Sequence, residues 1–366
     1  MTLRRQLGGI ATASMFGAMA AVLVASSNGM SGYRDDSFEE LRTATTIVEL
    51  HGPQGWTPVH FKRPGSGNGV ALDARRAVFE VSNSRNPNPT EARTCDQGQQ
   101  EVNRYPLVIE QQNRTAVVGG LFLSRVPQMS EWRATYCNSA AITFQGAPRG
   151  IIDGVRITGA WDAIRIGRDS PDLLVVNSWI SNARDDAIEN DFLQPATIRD
   201  TLIDGAFQGV SVKPPKSSSG RSANGGTVSL SGVVLRLREY PYKGEQRFGA
   251  LLKSDAGAPA SRVVNSVIAV DYAGGRSYPG YWTFTWSKLT NSSNNLFLWL
   301  SDAPIPDIVS PPQGSFRVLK GEAARQAWAR AKSNWINCHP RLARVPSDPR
   351  SNFAACVPGT WGAYTQ

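Results

Sequence analysis

The sequence predicts an all-β chain wound as a single-stranded parallel β-helix of about seven coils, with an irregular N-terminal segment and a C-terminal helical cap. Three observations predict it. Seven short segments share one polarity profile, a second short strand follows several of them, and a helical pattern begins where the repeat stops.

The repeat has no fixed word. VVGGLF (117–122), IIDGVR (151–156), VVNSWI (175–180), IRDTLI (198–203), LSGVV (230–234), VVNSVI (263–268) and SNNLFL (293–298) align on Gly119, Asp153, Asn177, Asp200, Ser231, Asn265 and Asn294. A small or polar residue follows each anchor, and then an apolar one such as Val155, Trp179 or Val233. That apolar column is expected to be core. The anchors lie 34, 24, 23, 31, 34 and 29 residues apart, the spacing of stacked coils. Asn177, Asn265 and Asn294 then read as a structural stack of turn side chains.

The second strands are DAIRI (162–166), DAIEN (186–190), QGVSV (208–212) and FGALL (248–252). Ile164, Ile166, Ile188, Val210, Val212, Ala250 and Leu252 alternate inward, while Arg165, Glu189, Asp191, Ser211, Lys213 and Lys253 alternate outward. A leucine-rich repeat would need a leucine consensus and an intervening helix. A propeller blade needs about 40 residues and four strands, which coils of 23 or 24 residues cannot hold.

These patterns divide the chain into a signal over 1–27, an irregular segment and cap over 28–105, the β-helix over 106–302 and a C-terminal cap over 303–366. Within GEAARQAWARAKSNW, Ala324, Trp328, Ala331 and Trp335 recur at helical spacing, the pattern of a lid over an open end. Trp282, Phe284 and Trp286 alternate with Thr283 and Thr285, so as a strand this stretch would put three rings on one face.

Arg4 and Arg5 precede an uncharged apolar stretch from Ile10 to Val24 and then small residues, as in a cleaved export signal. The twin arginines hint at a dedicated export route, but their surroundings fit ordinary secretion better. The expectation is a secreted or periplasmic protein without membrane insertion. Four cysteines suit that address, and Cys95–Cys137 with Cys338–Cys356 is the simplest of three possible pairings. Removing Arg4 and Arg5 from 39 basic against 30 acidic residues leaves a surplus of +7. In an exported chain this favours an acidic polymer, and no nucleic-acid-binding motif accompanies it. A capped stack needs no partner, so a monomer is expected.

The run NSWISNARDDAIENDFLQPATIRDTLIDGAFQGVSVKP (177–214) resembles the right-handed parallel β-helix proteins of the pectin-lyase-like superfamily. The resemblance covers 106–302 and lies in the coil pattern. It implies a right-handed winding and membership of a group that includes polysaccharide lyases and polygalacturonase-like hydrolases. Fold follows from such a likeness more directly than function does.

The densest constellation is Asp185, Asp186, Glu189 and Asp191, with Lys213 and Lys253 on later coils. Asp191, Lys213 and Lys253 are expected in one outward column, where adjacent coils lie about 4.8 Å apart. A β-elimination would use Lys213 as base and Lys253 or Arg165 to neutralise a uronate carboxylate. Asp186, Glu189 and Asp191 would hold Ca²⁺ through oxygen ligands. An adjacent Asp191 would raise the Lys213 pKa and oppose its role as a base. Arg221, Arg247, Tyr242, Arg276 and Tyr281, on long loops, would bind an acidic polysaccharide.

Other readings stand beside this one. Asp185–Asp186 also fits a polar turn, and Asp191–Lys213 a solvated ion pair worth under about 1 kcal/mol. A hydrolase would use a carboxylate pair, Asp186 with Asp191 or Asp185. The paired Asp185–Asp186 is similar to the hydrolase pattern, but its flanking motifs are absent. The histidines are His51, His60 and His339, all outside the repeat, so a groove histidine requires His60 or His339 to fold over. A non-catalytic glycan-binding module would present the same loops and charges.

Overall fold

The computed structural model describes residues 24–25, 38–55, 58–62, 69–81, 104–124, 126, 128–129, 131–132, 139–214 and 225–343. The chain is predominantly β, built from parallel ladders in a winding consistent with a parallel β-helix. Three ladders are visited in turn. The first includes Ile151–Asp153, Leu173–Val176, Ala196–Arg199, Thr227–Ser231 and Ala260–Val264. The second includes Arg156–Thr158, Trp179–Ser181, Leu202–Ala206, Val234–Arg238, Val267–Asp271 and Asn295–Trp299. The third is seven-stranded and includes Asp162–Ile166, Asp186–Glu189, Gln208–Val212 and Leu252–Ser254.

Each ladder stacks one apolar column inward. Val117, Ile152, Val175, Ile198, Leu230 and Val263 form the first. Phe122, Ile157, Ile180, Ile203, Leu235, Ile268 and Phe297 form the second. Ile142, Ile164, Ile188, Val210 and Leu252 form the third. All belong to one buried cluster. Branched side chains stacked on themselves in this way pack the interior.

The corner between the first and second ladders needs a left-handed residue. Gly119, Gly154, Asn177, Asp200, Gly232, Asn265 and Asn294 all have φ between 43° and 70° there, where glycine and Asn/Asp are the residues best tolerated. The corner therefore falls on Gly154 and Gly232, one residue after the expected anchors Asp153 and Ser231. Asn294 donates to Asn265 Oδ1 at 2.7 Å, as a turn stack requires.

The expected core column is divided: Val155 and Val233 lie in the interior cluster, whereas Trp179, Leu202, Val267 and Leu296 face outward. Arg156, not Val155, pairs with Trp179, and Val234, not Val233, pairs with Leu202. Leu202, Val234, Val267 and Leu296 lie on the outer wall of the second ladder, and Trp179 is only partly buried there. Helix α3 (Gly321–Cys338) covers that wall through Ala324, Trp328, Ala331 and Trp335. The helix was expected over the open end; instead it lies along the side, because the apolar outer column offers it four successive coils. Trp335 Nε1 donates to Asp200 Oδ1 at 3.0 Å, and Arg156 donates to the Leu342 carbonyl at 2.8 Å in α4 (Pro340–Ala343).

Two further expectations change. The parallel ladder already begins at Thr46–Pro53, which pairs with Val70–Val81, so 28–105 is not wholly irregular. Long connections there hide the period. Pro279–Lys288 forms helix α2 rather than a strand, with Trp282 buried, Trp286 partly so and Thr285 bonded to Leu252. A short helix α1 (Glu39–Thr43) lies over the first ladder at Ala71, Ala116 and Val118. Within the expected signal, Val24–Ala25 pairs with Thr46–Pro53 and residues 1–23 lie outside the described ones. Cys95, Cys137 and Cys356 also lie outside them, and with them both expected pairings. No helix among the described residues is long and apolar enough to cross a membrane.

Trp335 is fully buried on this wall. Its replacement by Phe should cost about 1–3 kcal/mol, because Asp200 loses a buried partner, and by Ala about 3–5 kcal/mol. Urea denaturation of the two variants measures both.

Candidate functional site

The third ladder carries a group of buried charged side chains on its outer wall. Arg165 pairs in register with Glu189, Glu189 with Ser211, and Ser211 with Lys253. Asp186, three residues before Glu189 on the same strand, pairs with Gln208. Ala187 and Ile188 both belong to the interior cluster, as do Ala163 and Ile164. This break in strict alternation lets Asp186 and Glu189, three residues apart, take part in one group.

Asp162 joins them and is the residue that sequence reasoning missed. Its Oδ1 accepts the Asp186 backbone N–H at 3.1 Å, and its side chain contacts Glu189. Asp162 and Asp186 are fully buried, and Asp185 is the most exposed of the three at 9 %. The signal was available, since DAIRI and DAIEN both open on Asp. Tyr105 was also missed; its hydroxyl accepts from Arg165 at 2.6 Å.

Two cations answer these acids. Lys253 Nζ lies 2.7 Å from Asp186 Oδ2, and Arg165 forms a close ion pair with Glu189 and lies 3.9 Å from Asp191. Lys253 therefore belongs to the column of Glu189, two residues short of Lys213, and not to the expected column with Asp191. A slip of two residues keeps every side chain on its face, so polarity alone could not detect it. Lys213 turns to Tyr281, at 3.4 Å from its hydroxyl and 4.8 Å from the ring centroid. It forms no ion pair with Asp191 among the described residues.

Burial sets the protonation pattern. It drives Asp162 well above the usual carboxylate range, helped by the Glu189 and Asp186 charges. It does the same to Asp186 against the opposing pull of Lys253. For Glu189 burial is the largest single effect, but Arg165, the Asp162 contact and Lys253 together outweigh it and hold the carboxyl below its ordinary value. Burial and the Glu189 charge push Asp191 up to about 7. Burial opposes the Lys253 charge, but Asp186, Asp185 and Glu189 outweigh it and keep the ammonium well above the ordinary lysine value. Arg165 is likewise held charged, because Glu189, Asp162 and Tyr105 together overcome burial.

The expected calcium ligands do not fit together. Glu189 and Asp191 face Arg165, and Asp186 faces Lys253. Asp162, Asp185 and Asp186 do bring carboxylate oxygens within 4.8 Å of one another. The Lys253 ammonium already sits against that group and would repel a divalent cation.

The loop residues are placed as follows. Tyr242 meets Tyr278 edge-on at 5.5 Å, and Tyr278 stacks on Tyr281 at 5.3 Å. Arg247 lies over Tyr278 at 5.0 Å and pairs with Glu245. Arg276 is exposed and also pairs with Glu245, while Arg221 lies outside the described residues. His339 is buried against Trp335 and Asp200 on the second ladder. His60 pairs along the third ladder with Val108, which pairs with Thr143, which pairs with Arg165. Three strand spacings, roughly 14 Å, separate it from Arg165, and Glu189 lies one strand further.

No family model, curated protein or solved structure matches this chain.

Lys253→Met should destabilise the protein by about 3 kcal/mol at neutral pH, because it strands Asp186 in the interior. An acid whose folded pKa is raised keeps its stability below the ordinary carboxylate value and loses it as pH rises through the folded one. The deficit should therefore shrink in acid and grow towards neutrality. A second change, Asp186→Leu, should recover most of it, as urea titrations at pH 4 and pH 7 would read.

Proposed function

We propose that this is an exported glycan-active protein with the right-handed winding of the pectin-lyase-like superfamily, cleaving an acidic polysaccharide by hydrolysis. One observation carries the reading. Asp191 is held protonated up to about 7 beside Glu189, which Arg165 holds ionised. An ionised carboxylate beside a buried acid keeps that acid protonated near neutral pH, as a general acid requires. Asp191, partly exposed, is assigned as the acid that protonates the leaving glycosidic oxygen. Asp185, the most exposed of the Asp162–Asp185–Asp186 group, is assigned as the base that activates water. Glu189 and Arg165 position Asp191.

Elimination draws less support. It needs cations available to a substrate carboxylate, and Lys253 and Arg165 are both committed to acids of the protein itself. Lys213, backed by Tyr281, is better suited to binding a uronate carboxylate than to removing a proton. The rings of Tyr242, Tyr278 and Tyr281 offer faces on which sugars stack.

The test is a panel of uronate polymers read by reducing ends and ultraviolet absorbance together. The expected product has new reducing ends, no absorbance from a new double bond and no sensitivity to chelator. Asp191→Asn should lower the rate by about 10²–10⁴-fold. Native activity should fall as pH rises through about 7, where Asp191 loses its proton. An ultraviolet-absorbing product would restore the elimination reading.

A further inference from the structure

A second carboxyl pair lies where helix α1 meets the first ladder. Asp153 ends the strand Ile151–Asp153 and is 5 % exposed. Asn177 donates to its Oδ1 at 2.9 Å. The carboxyl group facing it is Glu40 of α1, in side-chain contact with Asp153. Glu40 Oε2 is itself buried and has no hydrogen-bond partner. Two carboxyls pressed together at a buried junction hold one proton between them, because both cannot ionise at such close range.

The rest of the junction is weak. Helix α1 has five residues and no side-chain hydrogen bond at its N-cap. It rests on Leu41 against Ala71, Ala116 and Val118, and on Phe38, whose ring would lie 3.0 Å from a Cβ at Gly154. Arg75 and Arg341 lie against the Phe38 ring at 5.8 and 5.5 Å. The cation acting on Asp153 itself is Arg199, two strands along the first ladder, and it ranks below Glu40 in effect.

We propose that α1 is a proton-dependent strap: one proton shared by Glu40 and Asp153 holds it on the first ladder, and its loss releases the helix from that wall. Burial and the Glu40 charge raise Asp153 to about 7 in the docked state. Undocked, Asp153 returns to water and to the ordinary carboxylate range. An acid raised in the docked state holds the dock firmly below its undocked value, and that hold is lost as pH rises through the docked one. Release therefore runs between about pH 4 and pH 7, at up to ten-fold per pH unit for one proton.

Amide hydrogen exchange on the full chain tests this, with intrinsic rates corrected for pH. Protection at residues 41–44 should fall by ten-fold or more between pH 5 and pH 8, while protection at Ile188 in the interior stays constant. Asp153→Asn should keep protection at 41–44 and abolish its pH dependence. Glu40→Gln, on a short surface helix, gives the same readout if the first variant fails to fold. A native strap whose protection does not change with pH overturns the proposal. So does a variant that folds and keeps the native dependence.

Discussion

The structure depends on register between coils. Each strand sends its backbone hydrogen bonds to the coil before and the coil after, so no strand satisfies itself. Side chains alternate with a period of two, so a slip of one residue would exchange the interior with the surface. Three apolar columns resist that slip together. Because Ile157, Ile180, Ile203, Leu235 and Ile268 stack in one file, a displaced coil would misplace all of its inward residues at once. The left-handed corner fixes the phase: a residue with φ near 50° resets the chain between two ladders, and its neighbours have no freedom to replace it.

That constraint explains which parts of the sequence could be read. Faces were legible, because Ile164, Ile188 and Val210 alternate with polar residues whatever their exact rung. Position along a ladder was not. FGALL slips by two residues and keeps its faces, so Lys253 reached Asp186 where the pattern had aligned it with Lys213. The corner at Gly154 and Gly232 differed from the aligned anchors by one residue, and there glycine itself was the available signal. Asp162 could have been found by carrying the DAIEN reading back one coil to DAIRI. The coils before residue 106 could not, since the whole stretch 82–106 separates Val70–Val81 from Leu107–Glu110. Nor could periodicity separate an apolar outer column that awaits a helix from an interior one, since both repeat once per coil.

Three outer walls meet different fates, and this narrows where function can sit. Helix α3 covers the second wall with tryptophan and alanine, and α1 covers part of the first. The third ladder holds Asp162, Asp186, Glu189, Arg165 and Lys253 instead, all with side chains mostly withdrawn from water. A buried group of charges is an expensive way to hold strands together. Apolar residues of similar size often serve stability as well or better. Such a group is accordingly a better candidate for chemistry than for scaffolding, and perturbed carboxyls in one cluster strengthen the inference.

The two acid groups obey the same rule with different outcomes. On the third ladder Glu189 faces Arg165 and Asp186 faces Lys253, so Glu189 stays ionised, and burial with the Glu189 charge keeps the neighbouring Asp191 protonated. At Asp153 the charge acting most strongly is that of another acid, Glu40, and an amide from Asn177 is the only hydrogen bond donated to it by a side chain among the described residues. The difference lies in what adjacent coils supply. Arg165 stands directly beside Glu189 on the rung before it, whereas Arg199 reaches Asp153 only across the strand that contains Val176. Register alone thus decides which carboxyl is available as an acid near neutral pH and which must share its proton to stay buried.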